Sequence, residues 1–549
     1  MTVETVSTVE EQLGFPTHAE HVRTGWASAR RLARRLDVVL LLLLALVPLW
    51  RFTNGAWTNY DTDAFTYLYD ASRIVHGQVP YRDFFNFIGP AALWLPAAWM
   101  AIFGVSGDGA QVLLVAILAL LGAALYAVTL QLTRRRLLSL FAPAFVLLTM
   151  PVHFPWPYHN WYGDTALVAT LLTVSAWLRT GRLRWLVLGG IGCAATGLLV
   201  QTYGVALGAA LGGFLILRAD NWRMVARSAA SFALGLAMVL VPIAAYFLAQ
   251  GALLHLVYDT LVFPNKHLIL TNKVPFATNL TDWLSFQPTW VGGGRRAIIL
   301  RIAEVLSTFG VLGIALSTLV PAGLLVFDAI VARLRRASSP PDATHGLLLA
   351  CSLVTIVSFA FWLRYRQDMM HLAWTTVVAY PTLLGFIGRI QERSVMRAVR
   401  VALVGLAAAA GAGFLVITSP PTSTTIDRVA ARGALAAYIR DHTAPDDEIA
   451  IIGYGGSTYF YSRPAAIGYT QVLPYEDFNT PAQVAEMRDQ ILRRRPKLVI
   501  FEVGISCAPV PDASGCLIPL PADYRGSSGP LPDRVVGTYG AICWIYTMQ

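Results

Sequence analysis

The sequence predicts a polytopic α-helical membrane protein of about 11 transmembrane helices, followed by a C-terminal extracytoplasmic α/β domain. Three observations predict it. Of 549 residues, 56% are hydrophobic and 13% charged, against about 25% charged in a soluble globular protein. Apolar runs of membrane length recur through residues 36–418, and mean hydropathy is +0.55. The Arg residues cluster in short connectors between those runs, alternating with connectors rich in Asp, His and aromatics.

A membrane helix needs about 20 mostly apolar residues. Candidate spans are 36–53, 109–131, 137–152, 164–178, 185–200, 203–217, 229–249, 300–331, 345–363, 371–388 and 399–418. The two spans around "QTYG" (Gln201 to Gly204) also read as one long helix. The Arg distribution tests the count. "RLARRLD", "RRR" (Arg134 to Arg136), "RTGRLR", "RADNWRMVAR", "RLRR" and "RIQERSVMRAVR" then all fall on the side of the N-terminus. The positive-inside rule makes that side the cytoplasm. The net charge of +10 therefore reports topology, and nucleic acid is not an expected partner. An Ala- and Arg-rich composition suggests a bacterial inner membrane.

Residues 1–35 are a polar, cytoplasmic segment without a cleavable signal pattern. Residues 36–418 form the membrane domain, and 419–549 the outer domain. In the latter, "ARGALAAYIRDH" and "TPAQVAEMRDQILRRR" read as helices, and "EIAIIG", "PKLVIFEVG" and "AICWIYTM" as strands. Cys193 and Cys351 lie in apolar runs and read as inert core residues. Cys507 and Cys516 are close enough to pair if that domain faces an oxidising compartment.

Ionisable groups near a bilayer are costly, so clusters of them mark candidate sites. Outside the outer domain, Asp and His concentrate in the outer connectors. The carboxylates there are Asp61, Asp63, Asp70, Asp83, Asp108, Asp164, Asp259 and Asp368; the imidazoles include His76, His153, His159 and His371. The first outer connector, 54–108, carries "TNYDTDAFTYLYDASRIVHGQVPYRDFF". "AFTYLYDASRIV" has the spacing of a helix lying in the membrane interface. "GPAALWLPAAWMAIFG" reads as a second interfacial helix or a broken span at Pro96. Asp61 and Asp63 would sit at the mouth of the first helix, where a carboxylate can act as general base on an acceptor hydroxyl. Asp63 also suits the N-cap of a helix starting near Ala64. In "RYRQDMMH", Arg364 and Arg366 match a phosphate, and Asp368 and His371 could hold it or bind donor or acceptor. Both Arg side chains would equally serve as lipid-headgroup anchors. "YHNW" (Tyr158, His159, Asn160, Trp161) mixes hydrogen-bonding groups with aromatic faces, as carbohydrate sites do, or forms an interfacial aromatic belt. His153 and His159 are compatible with a divalent cation, but their spacing does not call for one, and no cofactor or metal is assigned.

With these motifs in place, the chain resembles the polytopic GT-C glycosyltransferases that use polyprenyl-phosphate sugars. It is most similar to the branch of bacterial aminoarabinose transferases and protein O-mannosyltransferases. The resemblance rests on "DAFTYLYDASRIVHGQVPYRDFFNFIGP", on "VQTYG" for a "KQxxG" motif, on "RYRQDMMHL" for "RxDxxH", and on "YIRDHTAPDDEIAIIG…YFYSRPAA" for the opening of an outer domain. It implies that the catalytic Asp is Asp63, with Asp61 a neighbour that could take the role. It implies donor-phosphate binding by Arg82, Arg364 or Arg366. Donor or acceptor binding would fall to Asp83, Tyr158, His159, Asn160, Trp161, Gln201, Tyr203, Asp368 and His371. Two family positions differ: its Glu after the Asp falls on Ala64, and its Lys before a double Pro on Ile88, with Gly89 replacing one Pro. The implied partners are a polyprenyl-phosphate sugar donor, membrane lipids, and a glycan, lipid or protein acceptor. A flippase for lipid-linked sugar and a non-catalytic glycan-binding scaffold remain the competing readings. Neither the sugar nor the acceptor is legible.

Overall fold

The computed structural model describes residues 62–153, 157–268 except 220, 295–335, and 342–403 except four single positions. Beyond that it describes segments within 435–502 and the strands 524–526 and 543–548. The predicted span 36–53, apart from single helical positions, and most of 399–418 lie outside the described residues, as do Asp61, Arg366, Asp368, Cys507 and Cys516.

The chain is mostly helical. Helices α1 (Thr62–Val75) and α2 (Pro90–Phe103) fill the connector before the first long helix, α3 (Gly107–Thr133). There follow α4 (Arg136–Ser139), α5 (Phe141–His153), α6 (His159–Thr180), α7 (Arg184–Leu199), α8 (Gln201–Arg218), α9 (Trp222–Ala249) and α10 (Leu253–Val257). Two π-helical turns, Tyr258–Val262 and Pro264–Leu268, come next. Then come α11 (Arg295–Leu334), α12 (Ala343–Tyr365), α13 (Met369–Thr375) and α14 (Ala379–Ile387). Among the described residues, four segments are long and apolar enough to cross a membrane: Gly107–Thr133, Trp222–Ala249, Leu312–Leu334 and Ala343–Tyr365.

Three local expectations change. The helix carrying Asp63 begins at Thr62, so position 63 lies in its first turn and not at an N-cap. The predicted span 371–388 is two short helices separated at 376–378. Its β-branched run Thr375–Val378 favours the break. The Thr376 hydroxyl donates to the Ala373 carbonyl at 3.0 Å, and Pro381 brings no N–H. The "QTYG" ambiguity resolves into two helices, because Val200 between them is extended (φ −141, ψ 106).

Sequence-local devices set several ends. Ser106 caps α3 by accepting from the Gly109 N–H at 3.0 Å, and Asn221 caps α9 by accepting from Met224 at 2.9 Å. α7 packs along both α6 and α9. At the second crossing Gly190 and Gly235 face the partner backbone: a Cβ on either would lie 2.0 Å from the Phe232 or the Val187 carbonyl oxygen. Small residues are what let membrane helices approach this closely.

In the C-terminal part, strands β1 (Glu448–Ile452), β2 (Ala465–Ala466), β3 (Leu498–Glu502), β4 (Tyr524–Gly526) and β5 (Cys543–Met548) form one sheet in the order β2-β1-β3-β5-β4. β1 is parallel to β2 and β3, whereas β5 is antiparallel to β3 and β4. Helix α15 (Pro481–Arg494) lies in the connection from β2 to β3, which crosses over β1 as parallel strands require. It starts with a capping box between Thr480 and Gln483. The segments read from sequence as helix and strand in 448–548 take those conformations. Alternate residues Ile449, Ile451, Leu498 and Ile500 share one buried cluster with Phe65 and Leu68 of α1. One continuous apolar core therefore joins sheet and helices.

Candidate active site

The site is built around α1, whose two faces meet different neighbours. Positions 63, 67, 70 and 74 follow one face at i, i+4, i+7 and i+11. On it, the Tyr67 ring meets the His159 ring edge-on, with centroids 5.2 Å apart. Asp70 is 1% exposed and accepts from the Asn86 side-chain amide at 2.7 Å.

His159 and Asn160 open α6, immediately after the extended Tyr158. Asn160 is buried and its amide donates to the Tyr203 hydroxyl at 3.3 Å. Nδ1 of His159 is buried and has no hydrogen-bond partner among the described residues. His371 of α13 is close enough to interact with it electrostatically. His371 and Tyr203 both line a cleft of about 50 Å³, with Thr202, Trp362, Tyr365 and Thr375 around it. Connectors separated by some 40 and 170 residues thus bring His159, Asn160, Tyr203 and His371 together. Trp161 and Tyr158 of the same motif are 0% and 3% exposed and pack in the core.

Gln201, first residue of α8, staples two more segments to this region. Its amide donates to the Phe87 carbonyl at 2.8 Å and to the Thr260 carbonyl in the first π turn at 3.3 Å. Phe263 packs between Phe85 and His267 in the same layer, with centroids at 4.9 and 5.3 Å. We expect Gln201→Ala to cost about 1–3 kcal/mol by leaving both carbonyls without this donor. Thermal melting in detergent measures it; a melting temperature equal to wild type would remove the staple from the account.

The candidate cations separate clearly. Arg82 is engaged: Nε and Nη2 bond Asp83 at 2.8 and 2.9 Å, and Nη1 reaches Gln250 at 3.0 Å. Arg364 is exposed at the end of α12, with its guanidinium 5.9 Å from the Tyr365 ring centre. The Asp83 carboxylate also accepts from the Val79 N–H at 2.7 Å, so it closes the turn between α1 and α2. Ile88 is 2% exposed and packs with Phe84, Ala92 and Leu93. Its N–H is taken by Asn86 (2.9 Å) and its carbonyl by the Tyr81 hydroxyl (2.7 Å). A lysine there would place its charge in an apolar cluster.

Hydrogen bonding from Arg82 is the main cause holding the Asp83 carboxyl below the ordinary carboxylate value; burial opposes it and the Val79 N–H assists. A carboxyl with a depressed folded value adds stability above its unfolded value and loses it as pH falls through the folded one. Melting temperatures should therefore drop below about pH 4 more steeply for the native protein than for Asp83→Asn. Parallel curves would show that this pair contributes nothing.

The roles of two other groups are visible only in the fold. Arg73 is 6% exposed, its guanidinium lies 4.5 Å from the Phe84 ring centre, and Nη2 donates to the Asp83 carbonyl at 3.2 Å. Its Nε bonds the Gln78 side chain. Arg73 thus builds the turn that shapes the connector. Asp164, an outer carboxylate by sequence, is 2% exposed inside α6, one turn beyond Asn160, and its Oδ2 has no partner among the described residues. Among the described residues, no group of three His, Cys, Asp or Glu is placed to hold a metal ion.

No family model matches the sequence, and no curated protein sequence matches it. Solved structures do. The chain is similar to the Archaeoglobus fulgidus oligosaccharyltransferase, with 16% identity, a TM-score of 0.47, and 84% of this chain and 68% of that one covered. It is similar to ArnT from Cupriavidus metallidurans bound to undecaprenyl phosphate, with 16% identity, a TM-score of 0.49, and 92% and 97% covered. It is also similar to the arabinofuranosyltransferase AftD from mycobacteria, with 14% identity, a TM-score of 0.47, and 94% and 40% covered.

Proposed function

We propose that the chain is a membrane glycosyltransferase of the GT-C type. It moves a sugar from a polyprenyl-phosphate donor to an acceptor hydroxyl on the extracytoplasmic face, with inversion at the anomeric carbon. The observation that carries the reading is the convergence of His159, Asn160, Tyr203 and His371 beside the α1 face that bears position 63.

The chemistry needs few groups. The Asp63 carboxylate takes the proton of the acceptor hydroxyl as that oxygen bonds to the anomeric carbon. The bond from that carbon to the phosphate oxygen breaks, and its electron pair leaves with the lipid phosphate. A cation facing the departing phosphate lowers the barrier. Arg364 suits that task better than Arg82, whose donors are already held by Asp83 and Gln250. Tyr203 and Trp362 of the cleft, with Asn160 bonded to the Tyr203 hydroxyl, suit a sugar ring.

In this reading the membrane domain covers 36–418 with eleven spans in a bacterial inner membrane, and residues 1–35 are cytoplasmic. The sheet and α15 belong to an extracytoplasmic α/β domain over 419–549. The Arg-rich connectors on the opposite side support this orientation. The acceptor is a glycan, lipid or protein. Purified protein in vesicles with a radiolabelled polyprenyl-phosphate sugar and membrane acceptors tests the reading. Label moving to an acceptor is the expected result. Intact donor crossing between leaflets without transfer would make the protein a flippase and overturn it.

A further inference from the structure

The "YFYSRPAA" segment is not used by the chemistry above, yet two of its residues reach α1. Phe65 and Tyr69, one turn apart on the face away from Tyr67, are 0% and 5% exposed. Phe460 meets Phe65 edge-on, with centroids 5.6 Å apart. Tyr459 lies parallel to Tyr69, at 5.0 Å and 18°. Both are themselves buried, at 7% and 1%. Tyr459 is in turn fixed to the sheet: its hydroxyl accepts from the Ile451 N–H at 2.7 Å and donates to the Ile449 carbonyl at 3.4 Å. Both partners belong to β1, the strand held between β2 and β3.

α1 needs such a support. An isolated helix of 14 residues is marginal in water, and tertiary packing decides whether it holds its place. Its opposite face makes the contacts of the site, a ring contact to His159 and a hydrogen bond from Asn86. Position 63 lies two residues before Phe65 and one turn before Tyr67, at the end of the helix that this aromatic pair secures. A tilt of α1 about Phe65 would displace the first turn relative to the cleft while leaving the cleft intact.

We propose that Tyr459 and Phe460 are positioning residues. They transmit the rigidity of β1 to α1 and set where Asp63 stands against His159 and the Tyr203–His371 cleft. The C-terminal sheet thereby acts on the transfer rate without touching substrate. This rests on the reading of Asp63 as the general base.

The test uses the full chain in detergent, with hydrogen exchange and steady-state transfer as readouts. Phe460→Ala and Tyr459→Ala are expected to speed amide exchange across residues 64–71. They are also expected to lower kcat about 10- to 100-fold, because misplacing a catalytic group by about an ångström has that effect. The KM for the lipid donor should stay within about twofold, since the donor's own contacts are untouched. Tyr459→Phe keeps the ring but cuts its tie to β1, and should fall between wild type and Tyr459→Ala in both readouts. Unchanged exchange in α1 in both alanine variants overturns the proposal, as does faster exchange with wild-type kcat. If the alanine variants do not fold, Tyr459→Phe decides: wild-type kcat there overturns the proposal. A wild-type chain that transfers no sugar, with Asp63→Asn indistinguishable from it, overturns the function reading instead, and the exchange data alone then judge the seating of α1.

Discussion

Asp63→Asn is expected to abolish sugar transfer while leaving the protein folded and able to hold its lipid donor. Amide for carboxylate keeps the shape and removes the basic oxygen, so only proton removal is lost. A positioned general base contributes about 10²–10⁴-fold, and this loss should appear in kcat with little change in the KM for donor. Position 63 sits in the first turn of α1, on the face that carries Tyr67 to His159. The helix therefore continues past it, and the residue cannot be read simply as a cap. Asp61→Asn is the internal control and should retain most of the activity. Assays of both variants in vesicles, with melting curves alongside, measure the contrast. Full activity in Asp63→Asn would sink the assignment of the base, and with Asp61→Asn also active neither acid could be that group.

Part of this candidate site was legible in the sequence because some of its pieces are local. The amphipathic spacing of "AFTYLYDASRIV" predicts α1, and the placing of Asp and His in alternate connectors singles out the segments that carry His159 and His371. What the sequence left open depends on contacts between distant segments. Apolar composition does not distinguish one span from two short helices, so 371–388 reads as continuous although it breaks at 376–378. Nor does a charge announce its partner. Arg82 looks like a free phosphate ligand until Gln250, from the far end of α9, and Asp83 are found on its donors. Arg73 and Tyr67 were in plain view in the opening connector. Only the fold shows that one builds the turn and the other reaches the site. The sheet's contact with α1 was the least readable, since Tyr459 and Phe460 lie nearly 400 residues beyond it.

The second large effect is expected at Gly89, where the resemblance leads one to look for a proline. Its backbone, φ −68 and ψ 152, is open to any residue and suits proline well, so conformational freedom is not why glycine stands there. The reason is approach. A Cβ at position 89 would lie 2.1 Å from the Leu198 carbonyl oxygen and 2.6 Å from its carbon. Both atoms are backbone at the end of α7, next to the Val200 break and Gln201, so no side chain can swing aside. Gly89→Ala and Gly89→Pro should each destabilise the protein by about 1–3 kcal/mol, the usual cost of overpacking, or more because backbone must move. They should also impair transfer, since the shift pulls the Phe87 carbonyl from Gln201. Gly213→Ala in α8, with open space around its Cβ, is the control. It should be neutral or gain up to about 1 kcal/mol of helix propensity. Melting temperatures of the three variants in detergent decide the matter. A Gly89→Ala protein that melts with wild type would mean that α2 and α7 do not approach this closely.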